Sequence, residues 1–236
     1  MDWYIIIIIV ITSIIQSFFG VGVLLFGTPL ILLLGYPFID SLLIVLPVSI
    51  SINLVQIIKD YRYIDFKFYK GILFYTVPFI IISLIIIDKI HFNVSIIIGL
   101  FLIFIALKDR VTFFKQIMDK ILPYDKAFYI IMGVIHGLTN LGGALLTAKV
   151  FYSNFNKYKK RVTVAICYMT FAVFQIITVL LLDYDYNSNS LLYILIGLFV
   201  YFFVNRLLFH KVSDVKYDKL FSVFLIIAGI LMILNK

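Results

Sequence analysis

Eight apolar runs follow one another along this chain, near residues 3–36, 39–58, 71–90, 92–107, 127–152, 162–182, 190–209 and 219–235. A stretch of about 20 apolar residues matches a bilayer core of about 30 Å. A soluble domain has no use for so much apolar surface: 64% of the residues are hydrophobic and only 14% are charged. Runs such as Ile5 to Val10 lack the alternation that a membrane β-barrel needs. The fold class expected is therefore an all-α polytopic membrane protein.

Two of the eight segments are interrupted by glycine. The first reads Phe18-Phe19-Gly20-Val21-Gly22 and the second Asn140-Leu141-Gly142-Gly143-Ala144. Paired breaks at corresponding places in two halves mark the binding site in many transporters. Non-helical backbone at membrane depth survives only inside protein or beside a wet cavity, so the two breaks are expected to meet near the midplane.

The basic residues test how the broken segments run. If all eight segments cross once, the 20 Lys and Arg divide equally between the two sides. If each broken segment instead enters and leaves on one side, eighteen share a face and only Lys89 and Lys236 lie opposite. Lys and Arg in short loops set orientation, which favours two re-entrant hairpins and a cytoplasmic basic face. Both termini then lie outside, in the cell membrane. The start, Met1-Asp2-Trp3-Tyr4, lacks a basic n-region and a cleavage site, and reads as mature sequence.

Internal similarity agrees. Gly20 and Gly22 align with Asn140 and Gly142 at an offset of 120, and Gln56-Ile57 with Gln175-Ile176 at 119. Each half is one glycine-broken hairpin plus three transmembrane helices. Three is an odd number, so the halves are expected as inverted repeats. The expected organisation is residues 1–107 as the first repeat, 108–126 as a cytoplasmic interfacial helix, and 127–236 as the second repeat. In the linker, Phe114, Ile117, Met118 and Ile121 share one face.

Candidate site residues follow from the breaks. A helix restarting after each break leaves its first N–H groups without helical partners, and its dipole adds partial positive charge. Two such starts make an anion site without Lys or Arg. The residues expected there are Gly20, Val21, Gly22, Asn140, Gly142 and Gly143, with Thr139 beside them. Close helix packing through small residues is the competing explanation. Ser49, Asn53 and Gln56 share a helical face, as do Thr163, Cys167 and Thr170. Ser49, Asn53 and Thr170 are candidates for binding substrate; interhelical hydrogen bonding is the alternative. His136 is the one ionisable side chain placed deep in a span, either touching an anion or bonded to its neighbours. Lys149 is expected to snorkel to the cytoplasmic interface, and Pro47 and Pro78 to kink their spans.

Other chemistry is excluded. All twelve acidic residues are Asp, each at a loop or span end, so no intramembrane carboxylate relay is expected. A lone cysteine, Cys167, rules out an intrachain disulfide and a Cys-based metal site. No HExxH, GxSxG or Walker motif is present. Neither an enzyme, a cofactor, a metal nor a nucleic-acid partner is expected. The net charge of +8 belongs to the membrane-flanking loops.

Gly20-Val21-Gly22, then Pro29, an apolar run Leu30 to Leu34 and Gly35, resembles the TauE/SafE sulfite exporter family of membrane permeases. Asn140-Leu141-Gly142-Gly143-Ala144-Leu145-Leu146 looks like the same motif repeated. The resemblance implies transport of a small sulfur-containing anion such as sulfite, thiosulfate or an organosulfonate. The function expected is thus an anion permease working by alternating access in a lipid bilayer. An anion channel and a non-transporting membrane assembly factor are the alternatives, and a homodimer is left open.

Overall fold

The structure is a computed structural model that describes residues 2–90, 98, 101, 116, 124–153, 155–185, 189–213 and 215–217. The expected segments at 92–107 and 219–235, and nearly all of the linker 108–126, lie outside the described residues. Within the described residues every regular element is helical.

The first broken segment folds as α1 (Trp3–Phe19), a wide π-type turn (Val23–Gly27) and α2 (Thr28–Leu33). The Asp2 carboxylate caps α1 by accepting the Tyr4 amide at 3.0 Å. The isoleucine run has modest intrinsic helix propensity, but an apolar environment demands that backbone groups pair internally, which a helix does. Pro29 has no N–H to give the preceding turn, and the wide turn just before it absorbs the missing bond.

Next come α3 (Phe38–Asp60), α4 (Phe66–Tyr75) and α5 (Val77–Ile90). α3 runs through Pro47 without interruption. The expected kink at Pro78 is real, because the helix breaks at Thr76, between α4 and α5. The second broken segment gives α6 (Asp125–Thr139) and α7 (Gly143–Tyr152), followed by α8 (Lys157–Leu181) and α9 (Ser190–Leu207). Among the described residues four helical stretches can cross a membrane by length and composition: Phe38–Tyr63, Phe66–Ile90, Lys157–Leu181 and Ser190–Leu207. Trp3–Phe19 and Val23–Leu33 are apolar but shorter.

Two of the spans begin earlier than their hydropathy indicates. Asp65 caps α4 through the Phe68 amide (2.9 Å), and Asn156 caps α8 through the Lys159 amide (2.9 Å). Lys67, Lys70 and Lys157 to Arg161 are therefore helical rather than in loops. A cap sets a helix start by satisfying its orphan donors, whatever the hydropathy of the first turn.

α3 and α8 pack against each other in antiparallel fashion. Asp60, the last residue of α3, is paired with Arg161 in the first turns of α8. α1 lies against α3 and α9, and α6 against α5. Gly133 and Gly137 permit the second contact, since a Cβ at either would lie 2.5 Å from a carbonyl, of Thr76 or of Ile80.

The helix ends gather into two chemically different faces. On one, Lys159 pairs with Asp65 at 2.9 Å, the Tyr63 and Tyr158 rings stack 5.5 Å apart, and Lys157 donates to the Phe209 carbonyl at 3.4 Å. Burial pushes the Asp65 carboxyl up. The Phe68 amide, the Lys159 ammonium and the Lys67 amide outweigh it and hold the group below its ordinary value. On the other face, Tyr184 donates to Asp88 at 2.7 Å and Tyr36 donates to Asp2 at 3.3 Å.

Candidate functional site

The two hairpin tips are built from the same contacts. α1 closes at Gly20, φ +74, whose amide donates to the Gln16 carbonyl at 2.9 Å. α6 closes at Asn140, φ +61, whose amide donates to the His136 carbonyl at 2.7 Å. A left-handed residue ends a helix by turning its amide onto the last turn, and after glycine asparagine tolerates this best. Two residues later each chain folds back onto its own first arm. A Cβ on Gly22 would lie 2.5 Å from the Thr12 carbonyl and 2.6 Å from the Gln16 nitrogen. One on Gly142 would lie 2.7 Å from the Met132 carbonyl and 2.5 Å from the His136 Cβ. Thr12 and Met132, and Gln16 and His136, stand at the same offset of 120 as the glycines.

The open ends of the hairpins also match. Tyr36, just past α2, bonds Asp2 at the start of α1. Lys149, near the end of α7, pairs with Asp125 at the start of α6 at 2.6 Å. Lys149 thus buries its stem and places its ammonium on an exposed carboxylate at the helix start, in keeping with a side chain that reaches for the interface.

The tips do not meet glycine to glycine. Gly20 presses on α8, where its Cβ would lie 2.5 Å from the Arg161 carbonyl and 3.1 Å from the Ala165 nitrogen. The hydrogen bond joining the hairpins runs from Asn140 Nδ2 to Thr28 Oγ1, at 2.7 Å. α1 is long enough to carry its tip to Arg161 and Ala165 near the start of α8, so the contact between hairpins falls to residues beside the glycines.

In the first half most of the polar groups are spent on one another, although Ser13 Oγ and Gln56 Oε1 are buried without a partner. Gln16 Nε2 donates to the Ser49 carbonyl (3.0 Å) and lies 3.1 Å from both Ser49 Oγ and Asn53 Oδ1. Gln16 Oε1 accepts the Val23 amide at 2.9 Å, the first donor of the returning arm. Gln56 Nε2 caps the Gln16 and Ser17 carbonyls at 2.9 and 3.2 Å. Ser49, Asn53 and Gln56 thus clamp the end of α1, and Val21 is wholly buried beside them.

The second half is different. His136 Nε2 lies 3.2 Å from Gln175 Oε1 on α8, and the Tyr168 and Phe171 rings flank the imidazole with centroids 5.8 and 4.8 Å away. The Tyr168 phenol covers the start of α7: its oxygen lies 1.0 Å from where a Gly143 Cβ would stand. No side chain caps α7, but the amides of Ala144, Leu145 and Leu146 already donate to the Leu141 and Gly142 carbonyls at 3.0 Å. His136 Nδ1, Asn140 Oδ1, the Tyr168 hydroxyl and Gln175 Nε2 are all buried without a hydrogen-bond partner. Thr139 serves the tip itself, accepting the Leu141 amide at 3.1 Å and donating to the Ile135 carbonyl at 2.6 Å. Thr170 faces α4, where it lies 3.0 Å from the Tyr69 hydroxyl.

Of the sequence candidates, His136, Asn140, Gly142 and Gly143 are thus brought together, while Gly20, Gly22, Ser49 and Asn53 form a separate, closed cluster. Gln16, Thr28, Tyr168 and Gln175 escaped the sequence reading. The offset of 120 pointed from His136 to Gln16, and Gln175 was visible as half of a repeated dipeptide. Tyr168 carried no signal, because a tyrosine on a tyrosine-rich membrane helix looks like any other.

Asp60 lies at the end of α3, a span end as expected, and its carboxylate is buried. It is neutralised by Arg161, itself fully buried, which also donates to Asn205 at 3.0 Å and the Ser17 carbonyl at 3.4 Å. The Arg161 guanidinium sits 3.5 Å above the centroid of the Phe209 ring. A charge is tolerated in such a place only when paired and hydrogen-bonded.

No curated protein and no solved structure matches the chain. A family model described as Sulfite exporter TauE/SafE matches residues 5–232. The chain accordingly belongs to the TauE/SafE sulfite exporter family.

Proposed function

We propose that the protein is a permease for a small, sulfur-containing anion, bound at the start of α7 by backbone amides and by His136, Asn140, Tyr168 and Gln175. The observation that carries this is four of the buried, unpartnered polar atoms, on His136, Asn140, Tyr168 and Gln175: Tyr168 and His136 pack on Gly143 and Gly142 at the α7 start, Gln175 contacts His136, and Asn140 closes the preceding helix. Burying a polar group without a partner costs about 1–3 kcal/mol, so a cluster of four calls for a ligand. A helix N-terminus supplies the matching partial positive charge.

The two hairpins act as re-entrant elements of inverted repeats, entering from opposite faces of the cell membrane. Support comes from the joined open ends, Asp2 with Tyr36 and Asp125 with Lys149, and from the antiparallel course of α3 and α8. The face carrying Lys157 to Arg161 is cytoplasmic by the positive-inside rule. Tyr168 stands over the α7 start, so admission of an anion needs α7 to move against α8. Rocking of one repeat against the other accomplishes that, whereas an open channel would leave the site uncovered.

Purified protein in liposomes provides the test. Saturable sulfite flux that is accelerated by sulfite on the opposite side is expected. Ohmic current would establish a channel instead, and absence of flux and binding for every anion tried would remove the transport assignment. Cysteines placed at positions 36 and 153, in a Cys167→Ser background, should label from opposite faces.

A further inference from the structure

The polar atoms at this site are of both hydrogen-bonding kinds, and we infer that the site selects a monoanion that itself carries a hydrogen-bond donor. Hydrogensulfite and short hydroxyalkanesulfonates have this chemistry; sulfate and plain alkanesulfonates lack it. The inference rests on the anion site proposed above and narrows its ligand.

The His136–Gln175 pair carries the argument. With the amide as placed, Gln175 Oε1 faces His136 Nε2, which must then donate; Nδ1 of an uncharged imidazole is left as an acceptor and Gln175 Nε2 as a donor. An amide and an imidazole can each turn over and exchange the two roles. If the amide is turned over, its nitrogen donates to Nε2, Nδ1 becomes the donor, and the amide oxygen becomes the acceptor. Either way the pair offers the ligand one donor and one acceptor. Asn140 spends one amide atom on Thr28 and leaves the other, an acceptor when Nδ2 faces Thr28, and the Tyr168 hydroxyl can donate or accept.

An anion with no hydrogen to give satisfies the donors but leaves the acceptors facing its own oxygens. Removing that mismatch is how hydrogen-bonding sites discriminate. Charge points the same way. None of the side chains gathered at the start of α7 is a Lys or Arg, and a helix start supplies only about half a unit of positive charge. The desolvation cost of an ion rises steeply with its charge, so a dianion is poorly served.

The test is a binding panel on the full-length protein in nanodiscs, followed by calorimetry. The probes are ethanesulfonate, 2-hydroxyethanesulfonate, sulfate, and sulfite at mildly acidic pH, where it is largely hydrogensulfite. 2-Hydroxyethanesulfonate is expected to bind about tenfold more tightly than ethanesulfonate, the worth of one good hydrogen bond to a charged partner. Acidic sulfite should compete with it, and sulfate should bind at least tenfold more weakly than either. In Gln175→Leu the ratio between the two ethanesulfonates should collapse towards one. Equal affinities for the two in the unaltered protein, or sulfate binding as tightly, would overturn the inference and leave an anion site standing. No binding by any probe would remove the anion site as well. Competition by acidic sulfite but not by 2-hydroxyethanesulfonate would assign the donor to a protonated oxyanion.

Discussion

Asn140 donates to the Thr28 hydroxyl at 2.7 Å, across 112 residues, from a backbone held at φ +61. This residue therefore does two things at once: it closes α6 and it ties the second hairpin to the first. Glycine at this position keeps the turn but loses the tie, whereas alanine loses the tie and strains the turn. Thermal unfolding in detergent should rank the unaltered protein first, Asn140→Gly second and Asn140→Ala last. The two variants should be separated by about 1 kcal/mol.

Gln16 bonds the Val23 amide, Ser49 and Asn53 together. Gln16→Leu keeps the bulk and strands those partners, at a cost of about 3 kcal/mol. His136→Leu strands fewer groups, since Gln175 is the one hydrogen-bonding side chain on the imidazole. Unfolding midpoints should therefore fall further for Gln16→Leu, while anion binding should fall further for His136→Leu. The opposite order in both assays would contradict the division of labour between the hairpins.

Asp60 and Arg161 form a buried pair. Removing one partner leaves the other charge uncompensated, so Asp60→Leu should cost about 3–5 kcal/mol. Adding Arg161→Met should restore much of that loss. A double variant no more stable than Asp60→Leu would show that the two charges are not coupled.

The Asp65 carboxyl titrates below its ordinary value because the Phe68 and Lys67 amides and Lys159 favour its charged form over the cost of burial. Its contribution is therefore fully present above the unfolded value of about 3.9 and is lost as pH falls through the lower folded value. Between pH 7 and 5 this site should leave stability unchanged; below about pH 4 it should weaken it. Asp65→Asn should flatten that acid limb in unfolding curves, and an unchanged limb would show that other carboxylates govern it.

Gly22 and Gly142 admit no side chain, because the atoms in the way include backbone within 2.5 to 2.7 Å. Gly35 has φ +89 and open space around it. Gly35→Ala should then cost only about 1 kcal/mol of backbone strain. Gly22→Ala and Gly142→Ala should prevent the hairpins from closing and abolish stable, transport-competent protein. Size-exclusion profiles and liposome flux would separate the three variants.

Hydropathy alone located α3, α5, α8 and α9, because a membrane span must be long, apolar and helical to satisfy its own backbone. The glycine breaks were equally legible. Helix starts were not: Asp65 and Asn156 set them inside stretches that composition reads as loops. The fate of the polar stripes was also hidden. Ser49 and Asn53 have the spacing of cavity-lining residues, yet both turn to Gln16. Spacing gives the face of a helix, and only the neighbour decides what that face meets.

By itself the sequence determined that this is a helical membrane chain with two glycine-broken hairpins, since periodicity, span length and backbone freedom are local properties. Tertiary structure decided how each of two similar tips is closed. Gln16 reaches the Val23 amide and seals the first. His136 turns to Gln175 and leaves the start of α7 to Tyr168. The difference lies in side-chain reach across helices that are far apart in the chain, and no local pattern encodes such a distance.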